Sequence, residues 1–126
     1  MNLRDQFARA KYLSLESFKR DGTGVRTPLW FAEGDDGDYY AYTVDGSPKV
    51  RRIRNNPRVR IAPCTMRGEI TGEWADAEAH IVEGEAAARG MALLNQRYWP
   101  WKSIGDLFSR LKGSRHAVIA IRFSIR

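Results

Sequence analysis

Apolar and polar residues alternate along much of this chain, and a period of two residues is typical of β-strands. In the first such stretch, Leu13 and Leu15 fall on one face, whereas Ser14 and Glu16 fall on the other. Alternation, or enrichment in β-branched and aromatic residues, predicts strands at residues 12–18, 25–32, 39–44, 58–64, 73–83 and 117–125. Pro28 cannot donate a ladder hydrogen bond, so we expect it at a sheet edge or a bulge.

Helices are predicted where apolar residues recur at helical spacing or where helix formers accumulate. Ser47 and Pro48 form a helix-start signal, with Val50 and Ile53 as inner contacts, and Asn56-Pro57 ends that helix. The four predicted helices cover residues 3–10, 47–55, 85–98 and 103–111. The inner stripe of the third is predicted to consist of Ala87, Met91, Leu94 and Tyr98.

These elements predict a mainly β protein of the α+β class. Six strands, mostly antiparallel, with helices inserted between strands three and four and between strands five and six, favour a small barrel closed on itself. The fifth strand has one face of small residues, Ala75, Ala77 and Ala79. A chain of 126 residues has room for one core, so we expect a single domain over residues 1–126.

Composition removes several function classes. Cys64 is the only cysteine, which excludes an intramolecular disulfide and a Cys-rich metal site. His80 and His116 lack the spacing of a zinc site, so we expect no metal. No apolar run reaches the roughly 18 residues of a membrane span, and residues 1–11 do not read as a secretion signal. We therefore expect a soluble, cytoplasmic protein that does not bind membranes.

The positive charge is concentrated in one segment. Seven basic residues and no acidic residue lie between Gly46 and Gly68, namely Lys49, Arg51, Arg52, Arg54, Arg58, Arg60 and Arg67. The whole chain carries a formal net charge of +6, so the remainder carries −1. Such a local excess indicates an anionic group bound at one place, because general nucleic-acid affinity would spread its Lys and Arg.

The helix that starts at Ser47 is the predicted anion site. Backbone N–H groups at a helix start bind phosphate, and Lys49 and Arg52, one turn apart, add charge. The alternative is that Ser47-Pro48 merely starts a helix and the arginines are solvated.

Aromatic residues flank this site in sequence. Trp30 and Phe31 lie on strand two, and Tyr39, Tyr40 and Tyr42 lie on strand three. Beside a phosphate anchor, such residues suit a planar ring ligand, although they equally fit a core or a dimer interface. Because the chain has no hydrolase elbow, HExxH, P-loop or GxGxxG motif, the reactive atom of an enzyme would belong to a cofactor.

Three motifs in order resemble a known family. They are Val25-Arg26-Thr27-Pro28-Leu29-Trp30-Phe31, Tyr39-Tyr40-Ala41-Tyr42-Thr43, and the segment from Ser47-Pro48-Lys49 to Asn56-Pro57-Arg58-Val59. Together they resemble the split β-barrel, FMN-binding superfamily of pyridoxamine 5′-phosphate oxidase, and within it the branch that uses the deazaflavin F420. The resemblance implies a homodimer with cofactor sites at the subunit interface.

The resemblance also implies site residues. Arg26, Thr27 and Pro28 would line the ring and ribityl chain; Tyr42 and Thr43 would contact the cofactor; and Ser47, Lys49 and Arg52 would hold its phosphate. Trp74, Trp99 and Trp101 are expected on the side of a small-molecule substrate. Two departures argue against pyridoxamine-phosphate oxidation itself, because Pro48 stands where those oxidases carry Arg and the chain stops at Arg126.

The function that this implies is an F420-dependent oxidoreductase. It would transfer a hydride between the reduced deazaflavin and an electron-poor acceptor such as an enone, quinone or tetrapyrrole. F420 carries an acidic tail, for which Arg51, Arg54, Arg58 and Arg60 are available, whereas FMN needs fewer charges. The alternatives are an FMN-binding flavoprotein, a non-catalytic cofactor carrier, and a nucleic-acid-binding module, for which the chain offers no RNP or zinc-finger signature.

Overall fold

Six antiparallel strands close into a barrel in the computed structural model, which describes residues 3–44, 47–98 and 116–123. The strands are β1 (Tyr12–Phe18), β2 (Gly24–Glu33), β3 (Tyr39–Val44), β4 (Arg58–Cys64), β5 (Ala75–Val82) and β6 (His116–Phe123), and the helices are α1 (Pro48–Asn55) and α2 (Gly84–Tyr98). The strand order is β1-β2-β3-β6-β5-β4, and β4 pairs with β1 to close the barrel. The predicted split-barrel fold is confirmed, with α1 between β3 and β4 and α2 between β5 and β6.

The barrel core follows from the alternation along the strands. The inward residues of β1 and β4, such as Leu13 and Ile61, are fully buried. The small-residue face predicted for the fifth strand, Ala75, Ala77 and Ala79 of β5, points into the same core, and Ile53 of α1 joins it. Because α1 packs against β1 and β5, it closes over the inner surface that these strands share.

The first predicted helix is wrong. Within residues 3–10 the structure has only a single 3₁₀ turn, Asp5–Phe7, with Phe7 N–H donating to the Arg4 carbonyl. Phe7 is 1 % exposed and meets the rings of Phe31 and Tyr39 at centroid distances of 6.0 and 5.6 Å. A segment this short gains little from helix formation alone, so the burial of one aromatic ring decides its conformation.

The barrel is split where β2 and β3 diverge. β2 pairs with β1 from Gly24 to Trp30, whereas the described pairing of β2 with β3 starts only at Phe31. Pro28 pairs with Ser14 of β1 on one side and lies on the edge of β2 that has no described pairing with β3, as predicted for a residue that cannot donate a ladder hydrogen bond. Beyond Ala41, β3 pairs with β6 alone, so its last residues border this opening and lead directly into α1.

Helix α2 covers the outside of the barrel against β2, β3 and β6. Leu94 packs on Ala32, and Met91 and Ala87 pack near Tyr40. These three residues of the predicted stripe therefore face the barrel. The side chain of Tyr98 and the predicted helix from Ser103 lie outside the described residues. The predicted ends of β5 differ from those observed by one or two residues. The predicted start of β6 lies one residue after the observed one, and its predicted last residues, 124–125, lie outside the described residues.

Candidate functional site

The start of α1 differs in one respect from the prediction. Ser47 occupies the N-cap position with an extended backbone, φ −67° and ψ 156°, but its side chain makes no capping hydrogen bond. Pro48 has no N–H to offer, and the Val50 N–H donates to the Ser47 carbonyl at 3.1 Å. The Arg51 N–H also donates to that carbonyl, at 3.3 Å, so the backbone contributes fewer donors to an anion site than the sequence predicts.

Two buried hydroxyl groups lie in this segment. The Oγ1 atom of Thr43, near the end of β3, and the Oγ atom of Ser47, at the start of α1, are both buried without a hydrogen-bond partner among the described residues. A buried hydroxyl without a partner costs free energy, and such a group in a native protein calls for an explanation. A ligand that accepts hydrogen bonds from both hydroxyls would satisfy them.

Lys49, two residues after Ser47 on α1, adds a cation to this segment. Its side chain is half-buried, and burial, followed by the repulsion of Arg52, lowers the pKa of its ammonium below the ordinary value. No carboxylate of the described part of the chain forms an ion pair with it. A partly desolvated ammonium beside a second cation is stabilised when an anion binds.

Arg52 is held by the barrel itself. Its Nε donates to the Oγ of Ser17 at 2.7 Å, and Ser17 is buried at the end of β1. This bond fixes α1 against β1 and occupies one of the five N–H donors of the guanidinium.

Arg26 lies in a separate cluster on the outer face of the barrel. Its Nε donates to Glu16 Oε2 at 3.1 Å, and Arg60 Nη1 donates to Glu16 Oε1 at 3.3 Å. Both guanidinium groups also lie against the ring of Trp74, at 4.7 and 5.1 Å from its centroid. Arg26, predicted to bind the cofactor, therefore contacts Trp74, which is predicted to lie on the substrate side.

The remaining predicted residues are distributed over both faces of the split. Tyr42 packs on the outside with Trp30, Ala32 and Leu94, and burial raises the pKa of its hydroxyl. Thr43 alternates to the opposite face of β3, which also carries Tyr39 and Ala41 of the core. Thr27 is half-buried and Pro28 is exposed on the unpaired edge of β2. Trp99 and Trp101 lie outside the described residues.

Sequence reasoning missed Glu16 and Ser17. The alternation of β1 places Glu16 on the outer face, which normally means exposure to water, yet Glu16 is only 7 % exposed. Its partners come from β2 and β4, and the local pattern contains no signal for that register. Likewise, the sequence around Ser17 gives no signal that Arg52 of α1 donates a hydrogen bond to its hydroxyl.

The residues present fit a phosphate-bearing cofactor. Two hydroxyls and one ammonium without partners among the described residues are donors from which phosphate oxygens accept hydrogen bonds. The described residues contain no group of three or more His, Cys, Asp or Glu side chains that could hold a metal.

Among the described helices, none has the length and apolar character to cross a membrane. Burial raises the pKa of the Cys64 thiol, so this cysteine is not activated.

Comparison with solved structures places the fold among known proteins. HutZ, a heme storage protein from Vibrio cholerae, superposes with a TM-score of 0.73 at 20 % identity, covering 100 % of this chain and 93 % of that one. An FAD-binding protein from Mesorhizobium loti gives 0.63 at 20 % identity, covering 97 % and 87 %. A conserved hypothetical protein from Mycobacterium tuberculosis gives 0.64 at 22 % identity, covering 98 % and 78 %.

Identities this low establish the shared fold alone, and no curated protein matches the sequence. The family model described as pyridoxamine 5′-phosphate oxidase, however, matches residues 2–124. Because that match spans nearly the whole chain, and the strand order and the opening between β2 and β3 are those of a split barrel, the protein belongs to the pyridoxamine 5′-phosphate oxidase family.

Proposed function

We propose that this protein is an F420-dependent oxidoreductase whose cofactor phosphate binds at the junction of β3 and α1. The observation that carries the proposal is that the Thr43 and Ser47 hydroxyls are buried without a partner among the described residues, in the same segment as Lys49, whose ammonium forms no ion pair there. A phosphate accepts hydrogen bonds from all three groups and neutralises the repulsion between Lys49 and Arg52.

The rest of the cofactor would lie along the opening between β2 and β3. Arg26, Thr27 and Pro28 border it on β2, and Tyr42 borders it on β3. The unpaired edge of β2 supports this placement, because a ligand can approach backbone there that no neighbouring strand covers.

The choice of F420 over FMN follows from charge. Arg51 and Arg58 are exposed on and after α1, and an acidic tail beyond the phosphate would pair with them. Arg60 already pairs with Glu16, so it contributes less to this surface than its sequence position indicates.

When bound, a reduced deazaflavin supplies a hydride to an electron-poor acceptor such as an enone, quinone or tetrapyrrole. The protein contributes binding and orientation, and it provides no nucleophile. Lys49, Thr43 and Ser47 fix the phosphate end, and aromatic and apolar side chains near the opening keep water from the ring. Trp74 is proposed to contact the substrate.

Direct binding measurements test this proposal. Purified protein is titrated with F420, FMN, FAD and heme, with cofactor fluorescence or absorbance and calorimetry as readouts. We expect F420 to bind most tightly, and tight FMN binding without F420 binding would overturn the F420 assignment in favour of a flavoprotein. Failure of all four to bind would contradict the cofactor site itself.

A non-catalytic cofactor carrier is the second candidate. The full-length structural match to a heme storage protein favours it, since the same fold serves storage there. Stopped-flow oxidation of the reduced cofactor across a panel of enones, quinones and tetrapyrroles separates the two functions. Turnover of any acceptor faster than the protein-free reaction supports the enzyme, whereas uniform inactivity supports the carrier.

We also propose that two copies form a dimer with the cofactor sites at their interface, as the family resemblance implies. Light scattering coupled to size exclusion is expected to give twice the mass of 14.4 kDa for the chain. A monomer that nevertheless binds F420 tightly would exclude a site that requires the second subunit.

A further inference from the structure

Glu16 occupies the centre of a row of side chains across three strands. On β1 it lies directly opposite Arg26 of β2 on one side and directly opposite Arg60 of β4 on the other. Each carboxylate oxygen accepts one hydrogen bond, from Arg26 Nε at 3.1 Å and from Arg60 Nη1 at 3.3 Å. The carboxylate is therefore shared between two guanidinium groups that neighbouring strands hold in fixed register.

Gly24 makes room for this arrangement. A Cβ atom at position 24 would lie 2.7 Å from both Cδ and Oε2 of Glu16, closer than real contacts allow. The Gly24 backbone has no positive φ, so the glycine is not required by a turn conformation. Its absent side chain is instead the space into which the Glu16 carboxyl group packs.

The two arginines keep most of their donors. Each guanidinium has five N–H groups, and one from each is given to Glu16 among the described contacts. Their side chains remain 55 % and 41 % exposed, while that of Glu16 is 10 % exposed. The carboxylate is thus buried beneath two cations whose free edges face outward beside Trp74.

Stability alone is a weak explanation for this cluster, because a buried ion pair recovers little more than its own desolvation cost. Fixing the direction of a guanidinium, in contrast, lowers the entropy that a ligand must overcome to bind it. We propose that Glu16 is a positioning residue, which holds Arg26 and Arg60 against Trp74 so that Arg26 presents its remaining donors to the bound cofactor. The inference rests on the proposed function, in which Arg26 borders the cofactor ring.

Glu16→Gln tests the proposal because positioning and electrostatics predict opposite changes in ligand affinity. The substitution keeps the size of the side chain and removes a negative charge near an anionic ligand. Electrostatics alone would then make the ligand bind more tightly, whereas loss of positioning weakens it. We expect the dissociation constant to rise about tenfold, as for one lost charged hydrogen bond.

Two pairs of ligands, each with and without the phosphate, separate this role from phosphate binding. Affinities are measured for FMN and riboflavin, and for F420 and the phosphate-free deazaflavin. Because Arg26 is proposed to act on the ring side, Glu16→Gln should weaken the phosphate-bearing and phosphate-free members of a pair by the same factor. Lys49→Ala should weaken only the phosphate-bearing member.

Glu78→Gln is the matched control, since Glu78 is an exposed carboxylate on the outer face of β5. Should Glu16→Gln fail to fold, Gly24→Ala replaces it: this variant keeps the charge of Glu16 and displaces its carboxyl group. Unchanged or tighter binding in the folded Glu16→Gln protein, or unchanged binding in its substitute Gly24→Ala, overturns the positioning role. A wild-type protein that binds none of the four ligands contradicts the proposed function instead.

Discussion

Arg52 of α1 donates a hydrogen bond from its Nε to the buried hydroxyl of Ser17 on β1, at 2.7 Å. The two residues are 35 positions apart in the chain, and their bond fixes α1 over the barrel. Since Ser47 and Lys49 belong to the beginning of the same helix, this contact also determines where the proposed phosphate site lies.

Ser17→Ala should destabilise the protein, because it leaves a partly buried guanidinium donor without its acceptor. The free energy of unfolding is expected to fall by about 1–2 kcal/mol, as for a lost hydrogen bond to a charged group. Chemical denaturation monitored by circular dichroism measures the change. Arg51→Ala, at an exposed neighbouring position of α1, is the control and should change stability by less than about 0.5 kcal/mol.

Lys49→Ala should weaken cofactor binding by about 1.5–3 kcal/mol, because a phosphate loses a charged hydrogen bond. Isothermal titration calorimetry with the cofactor that the wild-type protein binds gives the value. Arg67→Ala removes the same charge from an exposed turn and should leave the affinity unchanged. Equal affinity of the Lys49→Ala and wild-type proteins would place the phosphate elsewhere.

The affinity should also depend on pH through Lys49. Burial and the neighbouring Arg52 lower the pKa of this ammonium, and only its protonated form attracts phosphate. Affinity is therefore highest at neutral pH and falls as the pH rises through the lowered pKa, earlier than for an ordinary lysine with a pKa of about 10.4. Titrations from about pH 7 to about pH 10 measure it, and Lys49→Arg should remove the decline because guanidinium stays charged.

The same pKa shift predicts a cost in stability. The folded-state pKa of Lys49 lies below its unfolded value, so the folded protein disfavours the charged form. This destabilisation is fully present below the folded pKa and disappears as the pH rises through the unfolded pKa. Lys49→Met should therefore raise the melting temperature of the cofactor-free protein at neutral pH while weakening cofactor binding. A lower melting temperature would mean that packing of the lysine stem outweighs its desolvation.

Local patterns predicted most of the strands because a strand with one apolar face alternates along the sequence, as the burial of β5 does. The alternation of Ala75, Ala77 and Ala79 and the edge position of Pro28 both follow from single-strand arguments, and both are confirmed. The position of α1 was also predictable, since Pro48 pre-sets its first turn.

The side-chain partners were not predictable, because they depend on which strands become neighbours. Arg60 has no acid within its own basic segment, yet its partner Glu16 lies 44 positions away on an adjacent strand. Similarly, Ser47 carries the sequence signal of a capping residue, but its hydroxyl does not cap the helix. In both cases the residue lies in the predicted element, but the local sequence pattern does not determine what its side chain contacts.

Phe7 is the clearest case in which tertiary packing decides local structure, and it gives the last prediction. Its ring lies against Phe31 and Tyr39, and that burial outweighs the helix predicted for residues 3–10. Phe7→Ala should lower the free energy of unfolding by about 3–5 kcal/mol, since it removes a fully buried ring and leaves a cavity. Met66→Ala, at a position 68 % exposed, should cost less than about 0.5 kcal/mol. A small effect at Phe7, similar to that at Met66, would mean that the 3₁₀ turn is not part of the cooperative core.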